Sequence, residues 1–116
     1  MALQIYHNPR CSKSRQTLAL IEDNGAAIDI IKYLETPIRA QDLITLRGQL
    51  GYATVRDFMR TGEAIYKELG LENISDEDAL IAAMVAHPKL IERPIVTNGN
   101  RAVLGRPPEN VQSLLT

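Results

Sequence analysis

The 116-residue chain has one cysteine, Cys11. A lone cysteine can neither close an internal disulfide nor build a cysteine-based zinc site. The two histidines, His7 and His87, stand far apart without cysteine partners, so no metal site is expected. No apolar run approaches the roughly 20 residues that a membrane-spanning helix requires. A dominant charge is missing as well. The formal net charge of -1 leaves no bulk basic surface for nucleic acid. Repeats, linkers and low-complexity segments are absent. The opening "MALQIYHNP" has no charged region followed by an apolar one, which predicts no secretory signal. A reducing cytoplasm is the expected compartment. What is present is an ordinary globular composition, 45% hydrophobic and 23% charged. The length fits a single domain over residues 1–116 with a real core.

The near-neutral balance conceals an uneven distribution. Arg10, Lys13 and Arg15 precede the first acid, Glu22, whereas residues 63–78 carry six acids against Lys67. Nine arginines outnumber four lysines. Arginine presents a planar fork of donors suited to oxyanions.

"LQIY" (3–6) before Asn8-Pro9 reads as a strand and turn. The spacing Cys11, Ser14/Arg15, Leu18, Ile21 predicts a helix from Cys11 to Asn24, closed by Gly25. "IDIIKY" (28–33) is β-branched and reads as a second strand, giving a right-handed βαβ unit. The middle is helical. Leu43, Leu46 and Leu50 share a face before Gly51, Thr54-x-x-Asp57 resembles a capping box, and Ile65, Tyr66 and Leu69 precede Gly70. Ser75-x-x-Asp78 then caps a helix carrying Leu80, Ile81, Met84 and Val85, which Pro88 stops. In "PIVTNGNRAVL" (94–104), Asn98-Gly99 between β-branched runs signals a hairpin. Pro107 and Pro108 open a last helix with Val111, Leu114 and Leu115 inward. The order β-α-β, helical block, β-β-α predicts an α/β protein with a small mixed sheet. This is a thioredoxin-like core with a helical insertion, about 40–88, between its second and third strands.

Cys11 falls at the turn from the first strand to the first helix. Helix N-termini carry unpaired N–H groups and roughly half a positive charge, which favour a thiolate and bind oxyanions. Such surroundings lower a cysteine pKa and make a nucleophile. His7 would add to this if protonated. Ser14 occupies the position of the second cysteine in a Cys-x-x-Cys dithiol and could hydrogen-bond the thiolate or serve as a first-turn hydroxyl. A tyrosine-phosphatase loop would need arginine at position 17, where the chain has Thr17. A resolving thiol must therefore come from another molecule.

The ordered set "YHNPRCSKSRQTL", "YLETP", "MRTGE", "YKELGL", "HPKLIERPIV" and "GRPPE" resembles the bacterial arsenate reductase family of the glutaredoxin-dependent, thioredoxin-fold class. The resemblance covers essentially the whole chain. It implies that Cys11 is the nucleophile, that His7 favours its thiolate and that Ser14 supports it. It also implies that Arg60, Arg93 and Arg106 hold the oxyanion, and it matches Arg93-Pro94 to a bond that is usually cis in thioredoxin folds. The implied reaction begins with Cys11 displacing an oxygen of arsenate. Glutathione attacks the adduct, glutaredoxin resolves the mixed disulfide, and arsenite leaves. No bound cofactor is implied; glutathione is a co-substrate, and the partners are arsenate or a similar oxyanion, glutathione and glutaredoxin. Arg10, Ser12 and Lys13 stand where the best-known members carry small residues. Two other readings use the same cysteine: a glutathione-dependent thiol transferase, and a redox-linked regulator of RNA polymerase, whose usual Cys-x-x-Cys switch Ser14 removes.

Overall fold

A computed structural model describes residues 3–115. In chain order the regular elements are β1 (Leu3–Tyr6), α1 (Ser12–Asp23), β2 (Ile28–Ile31), α2 (Ala40–Leu50), α3 (Ala64–Glu68), α4 (Glu77–Ala86), β3 (Ile95–Thr97), β4 (Ala102–Leu104) and α5 (Gln112–Leu115). Short 3-10 turns punctuate the later part of the chain. The chain forms two compact units. One runs to Thr36 and resumes at Arg93; the other is Pro37–Glu92. No helix among the described residues is long and apolar enough to cross a membrane.

The first unit holds a four-stranded sheet in the order β2-β1-β3-β4. β1 pairs parallel with β2, from Leu3 opposite Ile28 to Tyr6 opposite Ile31. β3 is antiparallel to both β1 and β4. This is the mixed thioredoxin-like sheet expected from the element order. Leu3 and Ile5 of β1 are buried and alternate with exposed Gln4, as a half-buried strand demands. α1 buries Ser14, Thr17 and Ile21, one stripe at helical spacing. Leu3, Ile5, Ile21, Val96, Val111 and Leu114 form the core between sheet and helices. Each fully buried aliphatic side chain contributes roughly 1.5–3 kcal/mol.

Three boundaries differ from the sequence reading. β2 ends at Ile31 rather than at 33, because Lys32 O accepts from both Glu35 N (2.9 Å) and Thr36 N (2.8 Å) and turns the chain. Tyr33 is buried within that turn. The hairpin pivots one residue later than Asn98-Gly99. Asn98 N donates to Arg101 O at 3.0 Å, so Gly99 and Asn100 are the turn residues, with positive φ at Gly99 alone. Asn98 Oδ1 accepts from the N–H groups of Asn100 (2.9 Å) and Arg101 (2.8 Å), an Asx turn that competes with the Asn-Gly turn. The last helix starts as a 3-10 turn, Pro108–Val111, before α5.

In the second unit α2 buries Leu43 and Leu46, and Gly51 closes it in the left-handed conformation (φ 78) that glycine adopts without strain. The Thr54 hydroxyl accepts from Arg56 N at 3.2 Å and starts a 3-10 turn, Val55–Phe58. The predicted cap at Ser75 is not made. α4 begins at Glu77, with Asp76 in the cap position and no side-chain capping bond. Glu77 instead accepts from Arg47 Nη1 (2.7 Å), the Thr54 hydroxyl (2.6 Å) and Val55 N (2.9 Å). One carboxylate thus joins the end of α2, the Thr54 turn and the start of α4. An isolated antiparallel pairing of Met59 with Ile91 closes the unit.

Burial pushes the Glu77 carboxyl up, but the bonds from Thr54 and Val55 and the Arg47 charge outweigh it and hold its pKa below the usual carboxylate value. The stabilisation is therefore complete above the unfolded pKa, about 4.3, and is lost as pH falls through the lower folded value. Glu77→Ala is expected to cost roughly 2 kcal/mol in urea unfolding at neutral pH. The gap between the two proteins closes as the medium is made acid; an equal gap at all pH values would show that the carboxylate charge is not what joins these elements.

Candidate active site

The loop between β1 and α1 is pinned at both ends. His7 N donates to Ile31 O at 2.8 Å, continuing the β1–β2 ladder. Asn8 N donates to the Ser14 hydroxyl at 3.1 Å, and His7 Nδ1 lies 2.6 Å from the same oxygen. Asn8 returns two bonds to the loop, its Oδ1 accepting from Arg10 N and its carbonyl from Cys11 N, both at 3.0 Å. Arg15 Nη1 donates to Pro9 O at 2.8 Å. Cys11 is thereby placed as the residue before the first turn of α1, extended at φ -95 and ψ 122.

At this position the sulfur meets the unpaired N–H groups of the helix start. No side-chain capping bond of ordinary geometry is closed. The N–H groups of Ser14 and Lys13 still act on the sulfur, whose contacts are longer and softer than those of oxygen. Burial pushes the thiol up; these N–H groups and the charges of Arg93 and Arg106 outweigh it and hold the pKa below that of an ordinary thiol. Arg106 Nη2 lies 3.5 Å from Sγ, and its Nε donates to Arg93 O at 2.7 Å. The cations next in sequence, Arg10, Lys13 and Arg15, are not the ones whose charges set the thiolate. Two arginines from the far end of the chain do that.

Ser14 reaches the sulfur through its backbone, while its hydroxyl belongs to His7 and Asn8. His7 is buried, and burial lowers its pKa; the charges of Lys32 and Arg15 push the same way, opposed weakly by Glu22. These causes favour the neutral imidazole over the imidazolium. Its Nδ1 is engaged by the Ser14 hydroxyl, so the structure shows it positioning Ser14.

Arg93 stands apart in its bonding. Its Nε and Nη1 are buried and have no hydrogen-bond partner among the described residues. Leaving a buried charged donor unsatisfied is expensive, whereas an oxyanion would pair with such a fork. Both arginines precede cis prolines, at Arg93-Pro94 and Arg106-Pro107. Arg60 lies in the second unit, where its Nη1 pairs with Glu63 Oε1 at 2.8 Å.

Two positioning residues escaped the sequence reading. Gly105 N donates to Pro94 O at 2.9 Å, tying the two arginine segments together. A Cβ on Gly105 would lie 2.5 Å from Thr17 Oγ1 and 2.6 Å from Pro94 Cγ. Thr17, fully buried on α1, is itself held by its hydroxyl to Lys13 O at 2.8 Å. Only a residue without a side chain lets the segment that leads to Arg106 approach α1 this closely.

The sheet and this loop define a thioredoxin-like protein with one activated thiol beside an arginine pair. Comparison with known proteins supplies the family: the ArsC family model matches residues 6–114, and the chain belongs to the ArsC family. It is similar to the arsenate reductase of Neisseria meningitidis serogroup A, with 47% identity over 97% of each chain. The protein YfgD of Escherichia coli K12 is 51% identical, covering 97% of this chain and 96% of its own. A solved structure described as an arsenate reductase from Vibrio cholerae superposes with a TM-score of 0.93 at 56% identity, over 97% of each chain.

Two outcomes check this site. Iodoacetamide alkylation of Cys11 is expected to reach its plateau below the pH at which a free thiol, pKa about 8.5, would do so. Arg106→Ala removes a guanidinium 3.5 Å from the sulfur and moves that plateau upward. Gly105→Ala is expected to cost roughly 1–3 kcal/mol through overpacking. It also shifts the alkylation profile toward that of Arg106→Ala, because the arginine is displaced. Unchanged stability would show that Thr17 and Pro94 yield freely.

Proposed function

We propose that this protein reduces arsenate, or a closely similar oxyanion, through a covalent adduct on Cys11. The observation that carries the reading is the buried Arg93 fork without a hydrogen-bond partner beside a thiol that Arg106 also faces. Family membership supports arsenate as the substrate. The Cys11 thiolate attacks arsenic and forms an S–As bond, and an arsenate oxygen leaves as water after taking up protons. Arg93 and Arg106 neutralise the charge on the remaining oxygens, as pre-organised donors do in low dielectric. Glutathione thiolate then attacks the Cys11 sulfur. An S–S bond forms, the S–As pair of electrons stays with arsenic, and arsenic(V) leaves as arsenite. Glutaredoxin removes glutathione by thiol–disulfide exchange and returns the Cys11 thiolate. With no second cysteine in the chain, the oxidising equivalents must pass to such external thiols.

The test is NADPH-coupled turnover with glutathione, glutaredoxin and glutathione reductase, with and without arsenate. Arsenate-dependent oxidation that Cys11→Ser abolishes is expected. Arg93→Ala, Arg106→Ala and Arg60→Ala are each expected to lower kcat/KM for arsenate roughly 10- to 100-fold, the loss of one charge-assisted bond of about 1.5–3 kcal/mol. Lysine at these positions restores only part, lacking the fork. Turnover of a glutathione mixed disulfide with no dependence on arsenate would overturn the proposal in favour of a thiol transferase.

A further inference from the structure

A cleft of about 210 Å³ lies in the first unit, on the side of the thiol loop away from Arg93 and Arg106. Its lining is His7, Asn8, Pro9 and Arg10 of that loop, with Lys32, Leu34 and Glu35 from the turn after β2. The sheet order explains the placement. β2 and β3 flank β1 on opposite sides, so the segment after β2 and the segment before β3 reach the loop after β1 from opposite directions. The cleft therefore shares the loop with the oxyanion site but none of its arginines.

Its chemistry is mixed. Arg10 and Lys32 bring two cations, neither in an ion pair among the described residues. Glu35 brings one carboxylate, and Leu34 and Pro9 an apolar wall. His7 has Nδ1 engaged by Ser14, which leaves Nε2 as the ring nitrogen available to a ligand. The volume is below the roughly 300–1,000 Å³ of sites that enclose a whole small molecule. It suits one end of a ligand whose remainder extends along the loop. Arg10, in the lining, is one residue from Cys11, a step of about 3.8 Å between Cα atoms. An extended tripeptide spans roughly 10 Å. A carboxylate held in the cleft would therefore leave a peptide thiol enough length to bring its sulfur to Cys11.

We infer that this cleft is the docking site for the reducing thiol, binding a small peptide thiol by a terminal carboxylate between Arg10 and Lys32. The inference rests on the proposed function only in naming that thiol as the reductant. Its geometry can be tested without arsenate. Oxidised glutathione supplies the probe: the Cys11 thiolate attacks one of its sulfurs, the S–S bond breaks, Cys11 gains glutathione in a mixed disulfide, and the other half leaves as glutathione thiolate.

Mass gain on Cys11 is followed against concentration of oxidised glutathione, and separately with 2-hydroxyethyl disulfide, which is neutral and has no carboxylate. Arg10→Gln with Lys32→Gln is expected to raise the half-saturating concentration of oxidised glutathione about tenfold. The same pair leaves the reaction with 2-hydroxyethyl disulfide and with iodoacetamide unchanged. Arg101→Gln, a cation of the same unit outside the cleft, has no effect. An equal loss with both disulfides, or no loss with either, overturns the inference. So does an effect of Arg101→Gln as large as that of the pair, since general attraction of the anion would then suffice. A glutathione-selective loss in a protein that never turns over arsenate would uphold the cleft and defeat the proposed function. Arsenate turnover whose KM for glutathione the pair leaves unmoved would do the reverse.

Discussion

The buried hydroxyl of Ser14 is the point on which the thiol loop depends. It accepts from Asn8 N and meets His7 Nδ1, tying the end of β1 to the first turn of α1 across six and seven residues of chain. Every other constraint on the loop works inside that closure. Asn8 can bond the N–H groups of Arg10 and Cys11 only because its own backbone is held. Cys11 can take the extended conformation before the helix only because the loop ends there. With its hydroxyl engaged, Ser14 offers the sulfur a backbone N–H, a fixed dipole with no proton to lose in the working range. The same residue type decides the redox chemistry. A cysteine at position 14 would bring a resolving thiol to the helix, whereas serine keeps the loop geometry without it.

The same burial holds the His7 pKa down. A buried imidazole pays desolvation to become charged, and its nearest cations, Lys32 and Arg15, make protonation costlier still. Whichever of the pair donates, the 2.6 Å contact between Nδ1 and the Ser14 hydroxyl fixes the ring and leaves Nε2 as its other polar atom. Charge at the sulfur is supplied separately, by Arg93 and Arg106. Structure and charge thus come from different parts of the chain.

Much of this was legible in the sequence, to the extent that the physics is local. β1, α1 and the α2 and α4 faces follow from apolar spacing, and Gly25 and Gly51 mark real helix ends. The part of the lowered thiol pKa that comes from N–H groups was legible, because a strand-to-helix turn supplies them. The errors share one origin, competition between local partners. Asn98 could turn the chain with Gly99 or accept from Asn100 and Arg101, and the second wins. Ser75 could cap α4, but Glu77 gains three partners drawn from α2 and the Thr54 turn. The cations crowding Cys11 in sequence looked decisive, yet Arg15 turns to Pro9 O, and Arg93 and Arg106 act instead. The close approach at Gly105 left no local trace, since it is set by Thr17 on one element and Pro94 on another.

The division of the loop between two neighbours has an electrostatic consequence. In the proposed reaction an oxyanion and a carboxylate-bearing thiol, both negative, would approach the same sulfur. Two unit charges 4 Å apart interact by about 4 kcal/mol at an effective dielectric near 20, enough to oppose simultaneous occupation of one pocket. With Arg93 and Arg106 on the segments flanking β3 and β4, and Arg10 on the loop itself facing Lys32 after β2, each proposed anion would have its own counter-charge. The loop between them carries the nucleophile and no acidic side chain, the first acid in the sequence being Glu22. Of the early run of cations, Arg10 lines the cleft rather than lowering the thiol pKa. Arg93 and Arg106 lower the thiol pKa; in the proposed scheme Arg10 and Lys32 would receive the thiol that reacts with it next.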